Sequence, residues 1–430
     1  MKWWVPLVIL LGLSAVLHLW RLGVPRQVIF DEVHFGKFVT AYCCTHQRFF
    51  DIHPPHAKLL IAGTAKLIGY QGGFNFDHIG EEYGDISPIP LRLFPAIAGI
   101  LLPLIFYALL RLLKVSPLIS FFGGLAVVLD NASLVQTRII ALDGLLLTAT
   151  FGSLAAYLAG ARSQGTSAWL WYIVAGVLAG LAAGTKFTGL AALVLLGVLV
   201  LQRVLSQIKK GATRPLLSGL VILVSAFVVY IAGWAVHFAL LTQPGEGDAW
   251  GVPTGNFWQD TVTLHRTMLS ANYNLTATHP DESPWWSWPV MLTSIFYWNG
   301  DGGEVIYFLG NPAVWWGSTL LFLWAFFLGR REVWKRGWVP FLGFLIAMLP
   351  LVRVPRALFL YHYLTPLLFS LAFGLVWLDT VLVSPERRRK VLGAATLALV
   401  VFFLAFAPLT FGLSVAPGWI SALYWLPNWR

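Results

Sequence analysis

The chain has 430 residues, of which 58% are hydrophobic and 11% charged, and it carries a formal net charge of +10. Soluble domains hold about 45–50% apolar and about 25% charged residues, so this composition excludes a soluble globular protein. The positive charge does not mark a nucleic-acid binder either, because the basic residues fall mostly in short clusters between apolar runs.

Apolar runs at 3–20, 91–113, 117–131, 139–160, 168–185, 187–204, 215–241, 311–328, 338–352, 358–378 and 391–411 approach the ~20 residues that span a bilayer. They predict an all-α polytopic membrane protein of about eleven transmembrane helices forming a single integral unit over 1–430. Twenty-one Trp and thirteen Tyr suit a chain anchored at two membrane interfaces. Met1-Lys2 and the following run resemble a signal peptide, but no small-x-small cleavage site follows and Arg21 comes directly after Trp20. An uncleaved first span is expected.

Between the first two runs lies a long connection, 21–90. Phe35, Phe38, Val39 and Tyr42 recur at helical spacing, which predicts a short helix on the membrane surface with Asp31 at its start. Asp31 is either an N-cap or a functional carboxylate, and Glu32 suits the positive end of a helix dipole. Cys43 and Cys44 are adjacent and cannot staple distant segments. Further on, Asp51-Ile-His53-Pro54-Pro55-His56 predicts a rigid start to a second amphipathic helix. Asp51, His53 and His56 could also face a metal, although their spacing matches no strong ligand signature.

Charged residues then gather near the ends of later spans: Asp130, Arg138 with Asp143, Lys186 in Gly184-Thr-Lys-Phe-Thr-Gly189, and Arg353 and Arg356 just before Tyr361-His362-Tyr363. Any one of them can snorkel to the interface. Together they suit an anionic headgroup such as a lipid phosphate. A second long connection, 242–310, is rich in Trp, Pro and Gly. Loops of this length are commonly functional.

The positive-inside rule orients the chain. With the N-terminus cytoplasmic, 16 of the 29 Lys and Arg residues lie in short inside connections, including the clusters at 203–214, 330–336 and 387–390. The C-terminus and both long loops then lie outside, on the face expected to carry the activity.

These segments resemble the protein O-mannosyltransferases. Phe30-Asp31-Glu32-Val-His-Phe-Gly-Lys-Phe, then Phe50-Asp51-Ile-His53-Pro54-Pro55, look like that family's first loop. Thr137-Arg138-Ile-Ile-Ala-Leu-Asp143, the Lys186 segment and Tyr361-His362-Tyr363-Leu-Thr-Pro366 match later motifs in the same order. An Asp-Glu pair alone is a weak signal; followed by His-Pro-Pro it is much more specific. The resemblance implies a GT-C glycosyltransferase fold and inverting transfer of mannose from a polyprenyl-phosphate (dolichyl-phosphate-type) donor to Ser or Thr of secreted or membrane proteins.

For the site it implies Asp31 as catalytic base, with Glu32 sharing in the catalysis by positioning the acceptor or donor. Arg138, and after it Lys186 and Arg353, would bind the donor phosphate. Asp51, His53, Pro54, Pro55, His362 and Tyr363 would shape the pocket and acceptor side. A divalent metal is possible and not required, since fixed cations can balance one phosphate. The expected partners are the lipid-linked donor, an acceptor protein and the bilayer. Two departures stand out: about 70 residues in the second long loop cannot hold the β-trefoil domain of eukaryotic members, and His56 follows Pro55 where Leu is usual. The first points to a plasma (inner) membrane. The rival readings are a same-fold transferase acting on lipid A or a cell-wall glycan, and a membrane transporter.

Overall fold

The computed structural model describes residue 2, residues 4–275 and residues 278–430, so residue 3 of the first apolar run and residues 276–277 of the second long loop lie outside the described residues. The N-terminal half holds α1 (Val5–Leu19), α2 (Glu32–Thr40), α3 (His56–Leu67), α4 (Ile89–Leu112), α5 (Pro117–Val128) and α6 (Asn131–Gln136). It continues through α7 (Asp143–Gly160), α8 (Gly165–Ala183), α9 (Leu190–Gln207) and α10 (Thr213–Leu240). The C-terminal half holds α11 (Phe257–Asn274), α12 (Pro312–Leu328), α13 (Arg331–Met348), α14 (Leu364–Val381), α15 (Pro385–Phe411) and α16 (Pro417–Ala422).

Each expected apolar run coincides with one of these helices. Seven among the described residues are long and apolar enough to cross a membrane, namely α4, α8, α9, α10, α13, α14 and α15 with their flanking turns. The apolar helices α1, α5 and α12 are shorter. Local chemistry sets the ends: proline, which needs no donated N–H, opens α5, α12 and α15. Asp130, Asn256, Asn311 and Ser384 cap α6, α11, α12 and α15 through their side chains.

Two helices are almost wholly buried and organise the rest: α7 packs between α4 and α8, and α14 packs on α12 and α13. Gly176 and Gly180 let α8 touch α10, since a Cβ there would come within 2.5 and 2.6 Å of the Ile222 and Ala226 carbonyl oxygens. Asp130, flagged as a charge near a span end, is a structural hub: it accepts hydrogen bonds from Ser133, the Asn311 N–H and Trp315.

Both long loops cover one end of the bundle and are joined to each other. Phe30 N–H donates to the Tyr297 carbonyl at 3.1 Å, and Arg48 N–H to that of Gln243 at 3.0 Å. The second loop contains an antiparallel hairpin that the helical reading did not anticipate: β1 (Ile295–Asn299) pairs with β2 (Val305–Phe308), Ile295 opposite Phe308 and Asn299 opposite Val305. Its signal was legible: two aromatic, β-branched runs flank Asn-Gly-Asp-Gly-Gly. Cys43 and Cys44 are joined to each other and staple no distant segment.

Candidate active site

Asp31 stands where the first loop turns into α2. Phe30 before it has φ +40°, a left-handed conformation that L residues with side chains rarely adopt, held in place because the Phe30 ring stacks on Tyr297 at 4.2 Å. Although Asp31 occupies the N-cap position, its carboxylate accepts no hydrogen bond from the helix, and among the described residues it has no hydrogen bond or ion pair. It is surrounded by protein yet only partly enclosed, so it still reaches solvent. Burial chiefly pushes its pKa up to about 7: Lys186 and His279 pull it down, and the carboxylates of Asp143 and Asp51 push it further up. Capping does not explain this residue.

Glu32 has the opposite character. It is fully buried, and Arg92 grips it from α4 with two 2.8 Å bonds. The remaining lone pairs accept from the N–H groups of Ile29 and Ile140 and from the Tyr83 hydroxyl. No oxygen is left for a substrate. The expectation that Glu32 shares in the chemistry is therefore corrected: it locks the first loop onto α4 and onto the turn before α7. Arg92, which sequence reasoning missed, carried a signal as a cation inside an apolar run.

Arg138 is also placed differently from expectation. Its guanidinium donates to the His18 and Trp20 carbonyls at the end of α1, at 3.2 and 2.5 Å, and lies 4.5 Å from the centre of the Phe411 ring. Two of its three nitrogens thus cap the end of a helix.

The cations that do face Asp31 come from elsewhere. Lys186, in the turn between α8 and α9, bonds both oxygens of Asp143 at 2.8 and 2.9 Å and lies 5.1 Å from the Tyr361 ring centre. Asp143 also accepts from Gln136, which receives the Tyr297 hydroxyl, so one chain of contacts runs from the ring stacked on Phe30 to Lys186. Arg356 is half-buried, donates to the Asn272 side chain at 3.0 Å, and makes no ion pair among the described residues. Its charge acts on Asp31, Asp51 and Tyr361. Arg353, the residue expected here, is exposed.

The remaining expected pocket residues divide. His53 lies beside the cations: burial first, then Lys186, Lys58 and Arg356, hold its pKa well below the usual histidine range, so its ring is neutral. Pro54 and Pro55 are buried at the start of α3, which they aim. Asp51 is paired with Lys58, whose ammonium also donates to the His53 carbonyl at 2.7 Å. His362, stacked on Tyr361 at 4.6 Å, lines a cleft with Tyr361, Lys186 and Asp143. Tyr363 does not belong to it; it is buried against Trp315, and Tyr361 is the tyrosine that faces Lys186.

As for a metal, Asp51, His53 and His56 do not converge. Both ring nitrogens of His56 meet backbone carbonyls, of Gly184 at 3.0 Å and Val229 at 2.9 Å. Among the described residues no group of three or more His, Cys, Asp or Glu side chains is placed to hold an ion.

Comparison with known proteins bears on this arrangement. The family model described as dolichyl-phosphate-mannose-protein mannosyltransferase matches residues 8–242, and that of the C-terminal four-transmembrane region of protein O-mannosyltransferase matches residues 257–429. The chain belongs to the protein O-mannosyltransferase family. Similar members include the Saccharomyces cerevisiae dolichyl-phosphate-mannose–protein mannosyltransferase 4, 34% identical over 266 residues, covering 58% of this chain and 34% of that protein. Another is the Drosophila melanogaster protein O-mannosyltransferase 1, 38% identical over 240 residues, covering 54% and 27%. The chain thus spans about a third of the length of the curated relatives it matches.

Among solved structures, the S. cerevisiae protein O-mannosyltransferase Pmt1-Pmt2 complex bound to the sugar donor superposes with a TM-score of 0.91 at 19% identity, covering 100% of this chain and 93% of that one. ArnT from Cupriavidus metallidurans superposes at 0.59 with 14% identity, covering 94% and 76%. The fold is the GT-C membrane glycosyltransferase fold that the sequence motifs implied.

Proposed function

We propose that this chain transfers mannose from a polyprenyl-phosphate mannose to Ser or Thr hydroxyls of proteins, at the non-cytoplasmic face of a plasma membrane, with its N-terminus cytoplasmic. Membership of the protein O-mannosyltransferase family supports the donor and acceptor classes. The observation that carries the site is the partly enclosed Asp31 carboxylate, with no hydrogen bond or ion pair among the described residues and with the charges of Lys186 and Arg356 acting on it.

The chemistry follows from these charges. Asp31 in its ionised form takes the proton of the acceptor hydroxyl. The hydroxyl oxygen then forms a bond to the anomeric carbon of mannose from the face opposite the phosphate. The carbon–oxygen bond to phosphate breaks, and the electron pair leaves with the lipid phosphate. One carboxylate suffices for such an inverting displacement. The departing phosphate gains negative charge, which Arg356 stabilises with its uncompensated guanidinium and Lys186 assists from its place on Asp143. Neutral His53 can donate a hydrogen bond beside them without adding charge. Glu32 and Arg92 act through the backbone, by fixing where α2 begins.

The test is transfer of radiolabelled mannose from polyprenyl-phosphate mannose to a Ser/Thr peptide in membranes holding the full chain. Wild type should label the peptide and Asp31→Asn should not, while both remain monodisperse after extraction. Labelling that persists undiminished in Asp31→Asn overturns the assignment.

A further inference from the structure

α11 presents three faces rather than two. Its inner face carries Thr261 and Met268, both buried, together with His265 and Asn272. His265 receives the Tyr230 hydroxyl of α10 at 2.6 Å, and Asn272 accepts from Arg356. A second arc is polar and exposed, with Gln259, Thr263, Arg266 and Ser270. Between the two runs a stripe of large apolar residues left uncovered: Trp258, Val262, Leu269 and Tyr273 are 58%, 47%, 48% and 65% exposed. At 3.6 residues per turn these four fall within an arc of about 60°, next to His265.

We propose that this stripe is inserted into the outer leaflet of the membrane, at the boundary between headgroups and acyl chains. Three observations commit the face to lipid. The stripe continues the exposed apolar surface of a segment long and apolar enough to cross a membrane: His265, its neighbour around the helix, packs near Phe187, which opens that segment of α9, and Leu190, Val194 and Leu201 are exposed along its length. The stripe has Trp258 and Tyr273 at its two ends, the amphipathic aromatics that settle at headgroup level. The polar arc turns the other way, where its Arg266 and Ser270 line a groove with Trp250 and Asn274. A helix with an apolar stripe, a flanking Arg266 and a polar back has the form of an interfacial anchor.

The test uses the full chain in phosphatidylcholine–phosphatidylglycerol vesicles, with Cys43→Ser and Cys44→Ser as background. A polarity-sensitive fluorophore is attached after Val262→Cys, Leu269→Cys, Thr263→Cys or Ser270→Cys, one at a time. Nitroxide-labelled lipid should quench positions 262 and 269 roughly threefold more than 263 and 270, and aqueous iodide should show the reverse order. Equal iodide quenching at all four positions overturns the proposal in favour of a solvated strap. Shielding of 262 and 269 from both quenchers overturns it in favour of a protein partner. The unsubstituted chain gives an independent reading: photoactivatable phosphatidylcholine should crosslink to stripe positions within 258–273, and an absence of crosslinks there would also overturn the proposal.

Discussion

At the scale of single residues, an acid whose pKa is raised by burial makes two measurements predictable. Asp31 must be ionised to accept a proton, so the transfer rate of the wild-type chain should rise with pH through about 7 and level off above it. The same shift affects stability. Between the ordinary carboxylate value of 3.8 and about 7, the folded protein keeps a proton that the unfolded chain has released. Stability therefore falls as pH rises across that window and stays lowered above it. Asp31→Asn lacks this loss, so in detergent it should melt above wild type at pH 8, with the gap narrowing toward pH 4. Thermal unfolding at several pH values checks the sign; an Asn variant that melts lower at pH 8 would restore a structural, capping role. Arg356→Ala should lower kcat/KM for the lipid donor about 10- to 100-fold, because a charge-assisted bond to phosphate is worth about 1.5–3 kcal/mol. Arg353→Ala, at an exposed side chain, should leave that ratio nearly unchanged.

At the scale of elements, the first loop owes its shape to one buried ion pair. Glu32 and Arg92 are fully enclosed, and between them they tie α2, α4, the strand-like segment before Asp31 and the turn at Ile140. Removing one partner leaves a buried charge unpaired, which costs about 3–5 kcal/mol. Arg92→Met should therefore lower the melting temperature and abolish transfer together, and Glu32→Gln added to it should recover part of the stability. A stability profile unaffected by Arg92→Met would mean that the loop is held by its apolar contacts alone. The sequence made α2 and α3 visible, because helical spacing and paired prolines are local signals. It did not show which acid of the Asp31-Glu32 pair was spent: that depends on Arg92, Tyr83 and Ile140, 51 to 108 residues away. Arg138 misled for the same reason. Its conspicuous charge is absorbed by the carbonyls of α1, while the charge that acts on Asp31 belongs to Arg356, three residues from the expected Arg353 and bonded to Asn272 of α11.

At the scale of the whole molecule, periodicity and charge fixed far more than any single site residue. Each apolar run became a helix because a long apolar segment placed in lipid can satisfy its backbone only by internal hydrogen bonds. The hairpin escapes this periodicity because it lies in a loop, outside the apolar runs. Composition also predicts a direction across the membrane, since dense basic clusters favour the cytoplasmic side. Arg330, Arg331 and Lys335 precede or open α13 at one end of the bundle, and the joined long loops cover the other. With Cys43 and Cys44 replaced by Ser, an impermeant maleimide added to intact cells should label Thr254→Cys in the second long loop. It should label Arg389→Cys in the basic 387–390 cluster only after the cells are opened. The reverse pattern would place Asp31 on the cytoplasmic side, where an acceptor on a secreted protein could not reach it, and the orientation and the acceptor class would fall together.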